Sequence, residues 1–243
     1  MHLSVAVIAA VLVACHAAVP PMHVGQPMEI AEVLAKDGML VKVLEKFRTI
    51  IKNGNSSLGI PALDPLKMEH IDLNVKEGGL IELHGALDNL RAHGLSTYKI
   101  NKGDFAIVGL LANVSLTWDE IDLMTNYKIT SGKIADMDVY GSGTLMAVIK
   151  GLTVTVDMKI GIKDGGLYAK DLVLHAHLKG LNFKITGLYN DEEMSKLVSS
   201  IVSDIAPGLI EDYQEKLSQI GSPVVLKLLN KVLKNISLSS ILG

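Results

Sequence analysis

The residues able to carry chemistry are few and scattered. His175-Ala-His177 puts two imidazoles on one face of a strand, as some metal sites do, but no third ligand follows at a helpful spacing. Gly141-Ser142-Gly143 lacks the third glycine of a dinucleotide fingerprint and the lysine of a phosphate loop, and no helical pattern follows it, so it reads as a bend. There is no Gly-x-Ser-x-Gly elbow and no His-Glu-x-x-His. Asp119, Glu120 and Asp122, just after Trp118, form an acidic cluster of the kind found at solvated turns, and His70, His84 and His93 stand singly. A nucleophile beside a base, paired carboxylates in a cleft and a metal cluster are all missing as patterns. The chain is therefore read as a non-enzyme with no metal and no cofactor.

Composition narrows the remaining classes. Of 243 residues, 49% are hydrophobic but only 4% aromatic, so Leu, Ile, Val, Met and Ala must fill the interior. The formal charge is −3 with both signs interspersed, which leaves no basic field for a nucleic acid or an anionic membrane. Residues Val5 to Ala14 form a short apolar run ending at Cys15-His16-Ala17, the pattern of a secretory signal peptide over residues 1–17. That run is too short to span a bilayer, and no later stretch goes that far without a charge, so stable membrane insertion is not expected. Cleavage would remove Cys15, the only cysteine, leaving a secreted chain held by its core rather than by disulfides. Residues 18–243 fit one domain. Sequons at Asn55, Asn113 and Asn235 mark a glycoprotein.

The elements that must position any site follow from periodicity. Pro27 opens a helical pattern through Ile30, Val33, Leu40, Leu44, Phe47 and Ile51. From Leu66 to Asp204 there is no proline, and the apolar residues alternate: Leu152, Val154, Val156, Met158 and Ile160 oppose Thr153, Thr155, Asp157 and Lys159, and Leu172, Leu174 and Leu178 oppose Asp171, His175, His177 and Lys179. Turns are predicted at Gly78-Gly79, Asn101-Lys102-Gly103, Ser131-Gly132, Asp164-Gly165-Gly166 and Lys179-Gly180, and bends at Gly141, Gly143 and Gly151. After Asn190 an apolar helical face runs through Met194, Leu197, Val198, Ile201, Val202, Ile205, Leu209, Tyr213, Leu217 and Ile220, capped by Asp191 and kinked at Pro207. Gly221-Ser222-Pro223 should break it before a last short helix. The fold class is α+β: a highly curved, long-stranded antiparallel sheet wrapped around a long C-terminal amphipathic helix, preceded by an N-terminal helix.

Several segments resemble, in order, the takeout and haemolymph juvenile-hormone-binding family of insects. They are Gly59-Ile-Pro-Ala-Leu-Asp-Pro-Leu66, Gly94-Leu-Ser-Thr-Tyr98, Tyr127-Lys-Ile-Thr-Ser-Gly-Lys-Ile134, Gly141-Ser-Gly143 and Val232-Leu-Lys-Asn-Ile-Ser-Leu238. The resemblance implies a tubular lipid-binding fold and a secreted carrier of a small hydrophobic ligand such as a carotenoid, a terpenoid hormone or a fatty acid. The family's usual N-terminal cysteine pair is absent, which marks a divergent member. The alternative is an extracellular protein that recognises lipid or lipopolysaccharide surfaces, as larger relatives of that fold do. The ligand lining is expected among Leu152, Val154, Val156, Met158, Ile160, Leu172, Leu174, Leu178, Ile201, Val202 and Ile205, with Tyr127, Tyr140 and His175 offering polar contacts.

Overall fold

The computed structural model describes residues 38–56, 61–77, 81–106, 108–134, 137–163 and 166–233. The expected signal peptide, the predicted start of the first helix at Pro27, the Gly78-Gly79 turn and the sequon at Asn235 lie outside them. Helix α1 (Met39–Asn53) precedes strands β1 (Leu66–Glu77), β2 (Ile81–His93), β3 (Lys99–Ala106), β4 (Leu111–Ile134), β5 (Met137–Asp138), β6 (Gly141–Lys163) and β7 (Gly166–Ile185). Helices α2 (Glu192–Asp212) and α3 (Gln214–Leu233) follow. The sheet is antiparallel in the order β1-β2-β4-β6-β7, with β3 and β5 also paired to β4. Because β2 lies along one half of β4 and β3 along the other, the long strands β4, β6 and β7 run through two differently bordered halves.

A crease separates the halves. In β4 the inward residues are Ala112, Val114, Leu116 and Trp118, then Ile121, Leu123, Thr125 and Tyr127: the alternation skips a beat. β6 skips between Ile149 and Leu152, and β7 between Leu178 and Leu181, at the same level and with no break in register. Gly151 makes the change possible, since it takes φ +60, where an added β-carbon would meet the Lys179 side chain at 2.5 Å. The turn predicted at Lys179-Gly180 is thus a fold line inside β7. Asn101-Lys102-Gly103 likewise sits within β3, at a register shift between Ile100 and Lys102, and Ser131-Gly132 sits within β4. Long strands use these glycines to bend rather than to reverse.

Beyond the crease, on the side of β1 and β2, Leu83, Leu87, Leu90, Leu123, Tyr127, Leu145, Phe183 and Ile185 form a buried cluster, with Val198 and Val202 of α2 packed on it. A smaller cluster at the crease joins Ile121, Leu152, Ala176 and Leu178 to Ala206 and Ile210.

Helices α2 and α3 seal the edge of β7 with polar side chains. The Ser195, Ser199 and Ser203 hydroxyls accept the N–H groups of Leu188 (2.9 Å), Ile185 (3.0 Å) and Phe183 (2.9 Å). Farther along, Gln214 Oε1, Ser218 Oγ and Asn230 Oδ1 accept those of Ala176 (3.1 Å), Leu174 (3.2 Å) and Ala169 (2.7 Å). Gln214 and Asn230 also donate back to the Ala176 and Ala169 carbonyls, so their amides imitate the peptide groups of a neighbouring strand. Where the strand partners are two apart, as at Ser199 and Ser203 or Gln214 and Ser218, the spacing has a geometric cause: four helical residues advance about 6 Å and two strand residues about 6.7 Å, so the two stay in step. Asp191 caps α2 as predicted, accepting from Glu193 and Met194. The long helix breaks at Tyr213, however, and α3 runs through Gly221-Ser222-Pro223, because Ser218 and Asn230 fasten it to β7 on either side of that segment.

Candidate ligand-binding trough

On the near side of the crease the inward side chains form a grid. Successive rows across the strands are Trp118, Leu152, Leu178; Ile100, Leu116, Val154, Ala176; Gly103, Val114, Val156, Leu174; and Phe105, Ala112, Met158, Leu172. At a repeat of about 6.7 Å per row and about 4.8 Å per strand, the floor measures about 20 Å by 14 Å. No charged side chain belongs to it.

Two helices wall this floor. Over one border, α1 lies directly on β3: a β-carbon at Gly103 would sit 3.0 Å from Val41 Cγ2 and 3.4 Å from Leu44 Cδ1, so only glycine admits the helix this closely. Over the other, Gly221 of α3 faces Leu174, where a β-carbon would lie 3.9 Å from Cδ2. Between the walls, Leu116, Val154, Val156 and Met158 are only half-buried, although they point to the same side as the buried core. Aliphatic groups left partly uncovered on a concave face are what an apolar guest would cover.

The crease end of the trough is closed by aromatic rings. Tyr98, 2% exposed, meets Trp118 edge-on with centroids 5.6 Å apart, and its hydroxyl donates to the Leu44 carbonyl at 2.7 Å. Burial pushes that hydroxyl up to about 12. Trp118 Nε1 donates to the Leu95 carbonyl at 3.0 Å, and the Arg48 guanidinium lies 4.8 Å over the Tyr98 ring. Below, Asp64 holds the turn that presents Tyr98: its carboxylate accepts from Gly94 N (2.9 Å), Ser96 N (2.8 Å) and Ser96 Oγ (2.6 Å). Burial alone would raise the Asp64 carboxyl, but these hydrogen bonds outweigh it and hold the group below its ordinary value.

The structure brings together most, though not all, of the lining expected from sequence. Leu152, Val154, Val156, Met158, Leu172, Leu174 and Leu178 lie on the floor, with Ile160 half-buried just past a register shift at its far end. Ile201 and Ile205 do not join them. They are 47% and 46% exposed, because the side of α2 turned to the sheet is the serine side. Val202 packs on the cluster across the crease, and so does Tyr127, whose hydroxyl is committed to the Thr186 carbonyl at 2.8 Å and is pushed up to about 12 by burial. Tyr140 is 45% exposed and rests edge-on against Tyr189, centroids 5.2 Å apart. His175 is exposed on the outer face opposite Thr155, and His177 pairs with Glu211. Among the described residues no cluster of His, Cys, Asp and Glu has the makings of a metal site, and no helix is long and apolar enough to cross a membrane. Of the sequons, Asn113 lies within β4 with its amide donating to Asp157, while Asn55 follows α1.

Sequence reasoning read Gly103 as part of a turn, whereas its missing side chain lets α1 close the wall, and it passed over a second residue, Arg48, a cation on the sheet side of an amphipathic helix. The second was legible as a charge interrupting the Val41, Leu44, Ile51 face.

The family model for haemolymph juvenile hormone binding protein (JHBP) matches residues 9–243. No curated protein matches the sequence. Among solved structures the fold is similar to Takeout 1 of Epiphyas postvittana, with a TM-score of 0.61 and 14% identity over 83% of this chain and 93% of that one. A lipopolysaccharide binding protein aligns with 81% of this chain and 38% of its own length, at 15% identity and a TM-score of 0.32. The likeness to Takeout 1 shows the fold to be the tubular lipid-binding one.

Proposed function

The chain belongs to the haemolymph juvenile hormone binding protein family, and from that premise we propose that it is a secreted, single-domain carrier of a small hydrophobic ligand, released after loss of residues 1–17. The observation that carries this reading is the half-buried aliphatic middle of the floor between α1 and α3, formed by Leu116, Val154, Val156 and Met158 in a charge-free surface with the dimensions of an extended lipid. Its chemistry is that of a binder rather than a catalyst: dispersion contacts along the floor, with the Tyr98 and Trp118 polar hydrogens already committed to backbone carbonyls. A terpenoid hormone, a carotenoid and a fatty acid all satisfy an aliphatic floor, and a carotenoid would extend beyond one row of walls along the strands. The sequons at Asn55, Asn113 and Asn235 suit a glycoprotein of the secretory route.

The test is to secrete the protein from its own tissue, extract it with organic solvent and identify what comes off by absorption and mass spectrometry. A stoichiometric apolar compound is the expected result. A clean extract from protein that instead binds lipopolysaccharide or lipid vesicles would replace the carrier with a surface-recognition role.

A further inference from the structure

Helix α2 reverses the usual order of an amphipathic helix. Its sheet side carries Ser195, Ser199 and Ser203, whose hydroxyls are committed to the N–H groups of Leu188, Ile185 and Phe183. Its outer side carries Met194, Leu197, Ile201 and Ile205, which are 40%, 53%, 47% and 46% exposed. At 100° per residue these four lie within about 40° of Ile201, and the serines lie about 120–160° away. Gly208 continues the stripe, and a β-carbon there would meet nothing within 4 Å, which leaves a notch at its end. From Met194 to Gly208 the stripe is about 21 Å long. Single exposed aliphatic residues are ordinary on a protein surface, but four along one helix face make a contiguous patch that gains by being covered.

Charge decides what can cover it. Helix α2 carries Glu192, Glu193, Asp204, Glu211 and Asp212 against a single cation, Lys196, which is tied to Glu193 at 2.8 Å. Glu211 meets His177, but the carboxylate of Asp204 has no partner among the described residues. It sits about 60° round from Ile201, on the rim of the stripe. Two copies packed face to face would set rim carboxylates against each other, and an anionic lipid surface would meet the same repulsion. We propose that the stripe is a docking site for a cationic amphipathic helix of a partner protein, one with aliphatic side chains at three-to-four spacing and Lys or Arg on its flanks. The ridge of such a helix covers Leu197, Ile201 and Ile205, a large side chain enters the notch at Gly208, and a flanking cation meets Asp204. The stripe faces away from the sheet, so its occupation is separate from that of the trough.

The experiment titrates the purified chain into two labelled helical peptides of equal length and equal leucine pattern, one with lysine and one with glutamate at every polar position, and follows anisotropy. The wild type should bind the lysine peptide at least about tenfold more tightly than the glutamate peptide, and added salt should narrow that gap. The double variant Leu197→Ser/Ile201→Ser, made at exposed positions, should lose about tenfold or more of lysine-peptide affinity while keeping the unfolding midpoint of the wild type. Asp204→Lys should reduce the preference for the lysine peptide by about threefold or more.

Equal binding of the two peptides by the wild type overturns the proposal, as does no binding of the lysine peptide. Unchanged affinity in the double variant overturns it too, because the peptide is then held elsewhere. If the double variant fails to fold, Asp204→Lys decides alone: an unaltered preference overturns the proposal. Sedimentation of the chain by itself and flotation with phosphatidylserine vesicles complete the test. A dimer, or vesicle binding, that Ile201→Ser abolishes gives the stripe to a second copy or to a membrane instead.

Discussion

The same strand builds a closed core on one side of the crease and an open floor on the other. In β6, Leu145 and Ala147 are buried, whereas Val154, Val156 and Met158, with equally apolar side chains, are half-buried. The difference lies in what covers them. Across the crease, Val198 and Val202 of α2 lean onto the sheet and complete a cluster with Phe183 and Ile185. On the near side, α1 and α3 stand at the borders, and among the described residues the middle rows remain half-buried. Hydrophobic alternation thus specifies which face is dry but not whether protein or guest keeps it dry.

The largest way to break that contrast is to cut side chains on both sides of it. Phe183→Ala should lower unfolding stability by about 3–5 kcal/mol, as deletion in a packed core does, while Val156→Ala should cost less than about 1 kcal/mol in the ligand-free protein. Urea unfolding of the two variants measures both, and equal losses would mean the floor is ordinary core. Next in size is the helix that roofs the closed half. Ser195 is fully buried, so Ser195→Ala strands the Leu188 N–H and should cost about 1–3 kcal/mol. Hydrogen exchange should then quicken at Leu188 and along the start of α2, and unchanged protection would show that packing of Val198 and Val202 holds the helix unaided.

The smallest effect concerns pH and the turn below the trough. The Asp64 carboxyl is depressed in the folded state relative to 3.8, so its contribution is fully present above that value and is lost as pH falls through the folded pKa. Asp64→Asn should therefore flatten the acid limb of the stability profile below about pH 4 and leave it unchanged near neutrality apart from a constant offset. A wild-type slope in the variant would assign acid sensitivity elsewhere.

Much of this was legible in the chain. Alternation in β6 and β7 picked out seven of the floor residues, because a concave sheet shows one apolar face whether or not a guest fills it. The residues of α2 were misplaced for a definite reason: a search for apolar periodicity sees Leu197, Ile201 and Ile205 and passes over Ser195, Ser199 and Ser203, which repeat every four positions and take the buried side. Similarly, Gly221-Ser222-Pro223 carries local breaking signals that two tertiary hydrogen bonds overrule. The crease was half visible: Gly151 was read as a bend, but Lys179-Gly180 beside it was read as a reversal, since glycines mark both. Arg48 could be seen as an anomaly on its helix, but its meaning depended on Tyr98 and Trp118, which lie far from it along the chain.

The ladder of serines and amides along β7 also bears on how the protein behaves when crowded. A bare strand edge offers a template on which a second molecule can lay a strand, and growth from such an edge ends in fibres. Here the β7 edge already has its bonding partners within the same chain. Among the described residues β1 pairs only with β2, and there Lys67, Glu69, Asp72 and Lys76 stand exposed along the strand. With the β7 edge bonded and the β1 edge charged, strand addition by a second molecule is disfavoured at both ends of the strand order.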